Sequence, residues 1–166
     1  TAERSIEQAL LQGCKRGVTM NDLSHKPSVL VGMSGGVDSS VTVALLREKG
    51  YQVQGAVILF SPAHEKAVEE AKTAARQLDV PLTVLDAQAD FEAHVAAPFC
   101  ASYCAGRTPN PCLLCNPNVK FRSLLQAADR LGCEKIATGH YARVEQDEKG
   151  VWRVCRPKSD ARDQTY

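Results

Sequence analysis

Cys100, Cys104, Cys112 and Cys115 fall within sixteen residues of a 166-residue chain that holds seven cysteines in all. A thiolate is both a nucleophile and a soft-metal ligand, so a cluster this dense points to covalent sulfur chemistry or to metal. Cys112 and Cys115 stand in GRTPNPCLLCNPNVKF, residues 106–121. Two prolines framing an asparagine predict an exposed, rigid loop without regular structure, ahead of a helix beginning near residue 118. A thiol at that helix start, beside Lys120 and Arg122, is expected to have its pKa lowered.

A second stretch suits a different chemistry. Gly32-Met33-Ser34-Gly35-Gly36-Val37-Asp38-Ser39-Ser40 sits between an apolar run and an amphipathic segment. Adjacent glycines let successive backbone N–H groups point at an anion, and the helix that follows adds its unsatisfied N–H groups and positive dipole end. Ser34, Ser39 and Ser40 offer hydroxyls, and Asp38 is placed to hold Mg2+ against phosphate oxygens. No lysine follows the glycines, so this is not GxxxxGK[ST]. Nor is it GxGxxG, because the second strand ends apolar, at Ile58-Leu59-Phe60.

The elements that must position both stretches follow from periodicity and punctuation. Strands are expected at 28–33, 52–60, 82–86 and 134–138, and helices at 38–49, 64–78, 90–105 and 118–131. Residues 141–146 and 151–155 around Asp147–Gly150 read as an antiparallel hairpin, and 3–13 as a helix within an extension over residues 1–27. Strands alternating with helices make residues 28–166 an α/β domain, a doubly wound parallel sheet with a C-terminal β-hairpin. Ligands in such sheets sit outside the carboxyl ends of the strands where strand order reverses. If the first and fourth strands are neighbours, the glycine loop and Thr138-Gly139-His140-Tyr141 meet at one crevice.

SGGVDSS between strand and helix resembles the pyrophosphate loop of the ATP pyrophosphatases, which split ATP into AMP and pyrophosphate to activate a carbonyl oxygen. With the proline–cysteine stretch and TGHYAR at 138–143, the sequence resembles the bacterial and organellar tRNA-specific 2-thiouridylase family. The resemblance runs from about Val29 to the end, where Asp163-Gln164-Thr165-Tyr166 is similar to that family's DQSY segment. It implies a Rossmann-like sheet of the adenine nucleotide alpha-hydrolase type and ATP-dependent 2-thiolation of the wobble uridine of tRNA. The base 2-oxygen is adenylated, and sulfur from a cysteine persulfide displaces AMP. The partners implied are tRNA and a sulfur-donor protein, a cysteine desulfurase or sulfur-relay carrier; the cofactors are ATP and Mg2+.

Carried over by residue, Gly32, Met33, Ser34, Gly35, Gly36, Val37, Asp38 and Ser39 bind ATP phosphates, Ile58 lies against adenine, and Gly139 closes the nucleotide site. Cys115 matches the first catalytic cysteine; Asn110, Pro111 and Cys112 match the segment touching the target base. Arg162, Asp163 and Gln164 match a tRNA-contacting triplet that usually begins with lysine. The family's second catalytic cysteine lies in a C-terminal region expected beyond Tyr166.

Many members carry Asp-x-x-Cys where this chain has Cys112-x-x-Cys115, and three readings stay open. Cys112 is a spare thiol beside the catalytic one, able to form a transient disulfide; Cys112 and Cys115 are two ligands of an iron–sulfur cluster completed by a third cysteine further on; or all four clustered cysteines hold zinc. Two rival functions also stand: a pyrophosphatase-type sulfurtransferase on another substrate, and a non-catalytic metal- or thiol-carrying interaction module. No feature resembles an S-adenosylmethionine site, so methyl transfer is not expected.

Composition narrows the setting. At 44% hydrophobic and 23% charged the chain reads as globular, with no apolar run of the roughly 20 residues a membrane span needs. No secretion signal is present, so a reducing cytoplasm is expected. The net charge of +1 divides into −3 over residues 1–99 (9 Lys/Arg, 12 Asp/Glu) and +4 over 100–166 (11 and 7), so a polyanion should approach the C-terminal half. Arg143, Arg153, Arg156, Lys158 and Arg162 form its basic strip. His25, His64 and His94 read as solvated, and Trp152 as hairpin packing.

Overall fold

Apolar runs buried on both faces, each followed by an amphipathic helix, give a layered sheet. The computed structural model describes residues 26–157 and 163–165. The helix expected over 3–13 therefore lies outside the described residues, as do Lys158, Arg162 and Tyr166.

Four strands, β1 (Ser28–Gly32), β2 (Gln52–Leu59), β3 (Leu82–Asp86) and β4 (Lys135–Thr138), form a parallel sheet in the order β3-β2-β1-β4. Strand order reverses between β1 and β4, where Gly32 stands opposite Thr138. The alternation of a strand sends Val29 and Val31 to one face and Leu30 to the other. On the first face they meet α1 (Val37–Glu48) and α2 (Glu65–Gln77) through Val43, Leu46, Val68 and Ala71. On the second, Leu30, Ala56 and Ile136 meet Leu124, Ala127 and Ala128. These last belong to α6, numbered after the three shorter helices α3 (Gln88–Phe91), α4 (Ala97–Cys104) and α5 (Pro111–Cys115); α6 itself spans Phe121–Leu131. The doubly wound sheet is thus observed, as is the hairpin, β5 (Arg143–Gln146) paired antiparallel with β6 (Trp152–Cys155).

Two helices carry π turns. Glu92–Ala96 joins α3 to α4, and Asn116–Lys120 joins α5 to α6. Each lies at or before a proline, Pro98 or Pro117, whose ring clashes with the carbonyl four residues back and whose missing N–H breaks the α pattern. The wider turn accommodates both. Residues 111–117, expected to be irregular loop, are therefore helical. Pro111 is in the first turn of α5, where a missing N–H costs nothing, and the Asn110 side chain caps that helix by accepting from the Cys112 N–H at 3.1 Å.

Candidate active site

The glycine loop and the end of β4 do meet. Gly35 has φ +77°, and a Cβ there would lie 2.7 Å from Glu70 Cβ and 2.8 Å from the Ala71 nitrogen, so both the turn and its seat against α2 require glycine. Gly36, the N-cap of α1, is extended and open on its outer side. At Gly139 a Cβ would come within 3.1 Å of the Asp38 carbonyl carbon and the Ser39 nitrogen, so the end of β4 rests directly on the first turn of α1.

The loop side chains divide between solvent and interior. Val37 is 78% exposed and Ser34 is exposed, whereas Met33 turns into the core and offers a ligand only its backbone. Ser39 is 4% exposed; its hydroxyl donates to the Gly36 carbonyl at 3.0 Å and accepts from the Ser34 N–H at 3.3 Å. Ser40 also donates to the Gly36 carbonyl, at 3.0 Å. The serine hydroxyls read as free donors to phosphate therefore brace the loop, because they lie within reach of the one carbonyl it turns around. Gly32 closes β1 against Leu124, and Ile58 packs, half-buried, at the end of β2.

Beyond Gly139 the chain ties the crevice to the segments around it. The Tyr141 hydroxyl donates to Asp38 Oδ1 at 2.7 Å. Tyr141 and Gln164 exchange two bonds, the Tyr141 N–H to Gln164 Oε1 and the Gln164 N–H to the Tyr141 carbonyl, each 3.0 Å. Asp163 accepts from the N–H and hydroxyl of Thr165; these bonds, then the charge of Arg156 at 3.4 Å, hold its carboxyl below the usual range. Asp163 and Gln164 thus stand close to the crevice.

The thiol half of the site corrects the sequence expectation. Cys112 and Cys115 are half-buried on α5, not exposed on a loop, and Cys115 packs with Leu114 against Ala87, Val95 and Val119. Burial pushes the Cys115 thiol above its ordinary pKa; the positive charge of Lys120 opposes that rise without overcoming it, and Cys112 adds to it. The expected lowering fails because loss of water around the buried thiol outweighs the nearby charge of Lys120. Cys100 and Cys104 are exposed on α4, and among the described residues no three His, Cys, Asp or Glu side chains come together to hold a metal. Cys112 and Cys115 thus supply two thiols and no cluster site by themselves.

His140 is half-buried between these parts. Its Nδ1 lies 2.8 Å from Thr138 Oγ1 and its Nε2 3.3 Å from Lys120 Nζ. Burial, then the Lys120 charge, brings its pKa down to about 4, so the imidazole is neutral at pH 7. An ammonium only donates, so Nε2 accepts from Lys120 and Nδ1–H donates to Thr138. The Lys120 contact was not visible in the sequence, which carries no signal linking positions twenty residues apart. A cavity of about 380 Å3 opens beside His140, lined by Leu113, Phe121, Ile136, Val144 and Val154 among others; neither cysteine of α5 reaches it.

Other expectations also change. His64, read as solvated, hydrogen-bonds Ser61 at 2.8 Å and packs on Phe60 with ring centroids 5.5 Å apart. Trp152, read as packing, is 52% exposed. In the basic strip, Arg143 pairs with Glu145 at 2.7 Å and Arg153 with Asp147 at 2.8 Å.

A parallel sheet whose glycine loop meets the end of β4 at the switch point of strand order defines a doubly wound α/β protein. The chain belongs to the family described as tRNA methyl transferase HUP domain, which it matches over residues 27–166. It is 44% identical over 149 residues to the tRNA-specific 2-thiouridylase MnmA of Deinococcus radiodurans, covering 83% of this chain and 39% of that protein. With the protein of the same name from Heliobacterium modesticaldum it shares 46% over 153 residues, covering 85% and 40%. The chain thus spans about two fifths of the length of the curated relatives it matches. Among solved structures, a predicted subunit of tRNA methyltransferase from Methanocaldococcus jannaschii is similar at 19% identity and a TM-score of 0.46, over 68% of this chain and 52% of that one.

Proposed function

We propose that this chain is the nucleotide- and thiol-bearing part of an ATP-dependent tRNA 2-thiouridylase. The observation that carries the reading is the meeting of the SGGVDSS loop with Gly139 at the switch point, with Cys115 packed in the cluster that also takes Ile58 at the end of β2. Backbone N–H groups at the start of α1 receive the ATP phosphates, with Gly32 to Ser39 forming the cradle; Gly36 is open there. Asp38, oriented by the Tyr141 hydroxyl, holds Mg2+, and Ile58 borders the adenine. The names of the relatives support tRNA as the substrate.

In the reaction the uridine 2-oxygen attacks the α-phosphorus of ATP and pyrophosphate leaves. The terminal sulfur of a cysteine persulfide then attacks C2, and AMP departs with the oxygen. A second thiol cleaves the sulfur–sulfur bond, leaving the thiolated base and a protein disulfide. Cys115 supplies one of these two thiols; Cys112, one helical turn away, is a further thiol within the same segment. Asn110 and Pro111 border the target base, and Arg162, Asp163 and Gln164 contact the tRNA. The persulfide comes from a cysteine desulfurase or sulfur-relay carrier in the cytoplasm; no helix among the described residues is long and apolar enough to cross a membrane.

The test is mass spectrometry of digested tRNA after incubation of the full-length protein with ATP and a persulfide donor. Formation of 2-thiouridine that requires ATP is expected. ATP turnover without any 2-thiouridine would leave the nucleotide site standing and remove the tRNA substrate.

A further inference from the structure

Lys120 is a half-buried cation set against an imidazole. Its Nζ lies 3.3 Å from His140 Nε2, and among the described residues no carboxylate is within ion-pair distance of it. His140 in turn is fixed from behind by Thr138 at 2.8 Å and flanked by the Phe121 ring at 5.7 Å, so the lysine has a firm anchor that does not cancel its charge. In a regular α-helix residues five apart point about 140° away from each other, at 3.6 residues per turn. Here the π turn Asn116–Lys120 intervenes, closed by the Phe121 N–H to the Asn116 carbonyl, and an i→i+5 turn brings residue i+5 nearly back over residue i. The wider turn brings Lys120 nearer the face of Cys115 than an α-helix would, and its charge acts on that thiol.

We propose that Lys120 is a positioning residue for the sulfur at Cys115, its ammonium anchored on His140 and turned by the π bulge so as to hold an anionic sulfur, thiolate or persulfide, at that position. The inference rests on the reading of Cys115 as a reacting thiol. It gives the π turn a purpose beyond accommodating Pro117, in keeping with the frequent placement of such turns at functional sites. Among the described residues, Lys120 is the charged side chain that acts on Cys115. From the packed π turn Glu92–Ala96 it is Val95 that faces inward, while Glu92 and His94 are exposed; Ile58, Phe60 and Phe91 are apolar; Cys112 is its titratable neighbour on α5.

The experiment is the pH dependence of Cys115 alkylation by iodoacetamide in the full chain, read on the Cys115 peptide by mass spectrometry, for wild type, Lys120→Met and Lys120→Arg. Cys133, buried under α6, serves in the same digest as the check that the fold is intact. In Lys120→Met the Cys115 curve is expected to move to higher pH, lowering its alkylation rate at neutral pH by about tenfold, the equivalent of one pKa unit. Lys120→Arg should keep the wild-type curve, and Cys133 should stay protected in all three. A Cys115 curve unmoved in Lys120→Met, or moved equally in both variants, overturns the proposal. Because the curve is read on Cys115 whatever its role, thiolation by Cys115→Ala separately decides whether that thiol reacts at all.

Discussion

The two halves of the site were built by different means. Around Gly35 and Gly139 the geometry is backbone geometry: one glycine takes a positive φ against α2, the other lets the end of β4 touch α1, and the chemistry on offer is N–H groups and a helix dipole. Around Cys115 the properties come from side chains, those of Val119 and Lys120 on the next turn and those of Val95 and, through Lys120, His140 from other segments. A backbone site is robust to its surroundings. A thiol's character is set by whatever packs on it, and here packing raises a pKa that local sequence said should fall.

This contrast can be broken at four places. Gly35→Ala should act most strongly, since strain at positive φ adds to a clash with backbone of α2; a loss of about 2–3 kcal/mol in denaturant unfolding is expected, with loss of ATP binding. Gly36→Ala, in an extended conformation with space around it, should change stability by less than about 0.5 kcal/mol. Gly139→Ala forces the Asp38–Ser39 backbone to yield by a few tenths of an ångström, at a cost of about 1 kcal/mol in stability, and should weaken ATP binding measured by calorimetry. In the thiol half, Asn110→Ala removes the cap of α5 and should cost about 1 kcal/mol in thermal unfolding without loss of ATP affinity.

A further expected effect is a slope. His140 has a folded pKa of about 4, below its ordinary value near 6.5. Between those values the unfolded chain binds a proton that the folded chain does not, so stability falls as pH drops from about 6.5 to 4. Urea midpoints measured across that window should decline less steeply in His140→Asn than in wild type. An identical slope in both would mean that the imidazole is not held neutral.

The alternating strands and helices, the parallel sheet and the hairpin were legible because each rests on local pattern: apolar runs such as SVLVG, helix stops, and a glycine loop placed between strand and helix; that β1 and β4 are neighbours was left as a condition and is supplied by the structure. The proline–cysteine segment misled because Pro111 reads as a breaker in isolation yet is well placed in the first turn of a capped helix, and because Pro117 is absorbed by a π turn that no simple periodicity marks. Tyr141 on Asp38 and Lys120 on His140 were illegible for another reason. Their partners lie 103 and 20 residues apart; the meeting of β1 with β4 brings Tyr141 to Asp38, and the packing of α6 on the sheet brings Lys120 to His140.

The most direct test of the account is whether the two halves separate functionally, by following AMP release and 2-thiouridine formation together in the full-length protein with tRNA, ATP and a persulfide donor. Cys115→Ala is predicted to retain ATP binding and tRNA-dependent AMP formation on the first turnover while making no 2-thiouridine, and Gly35→Ala to do neither. Thiolation that persists in Cys115→Ala would contradict the assignment of the thiol half.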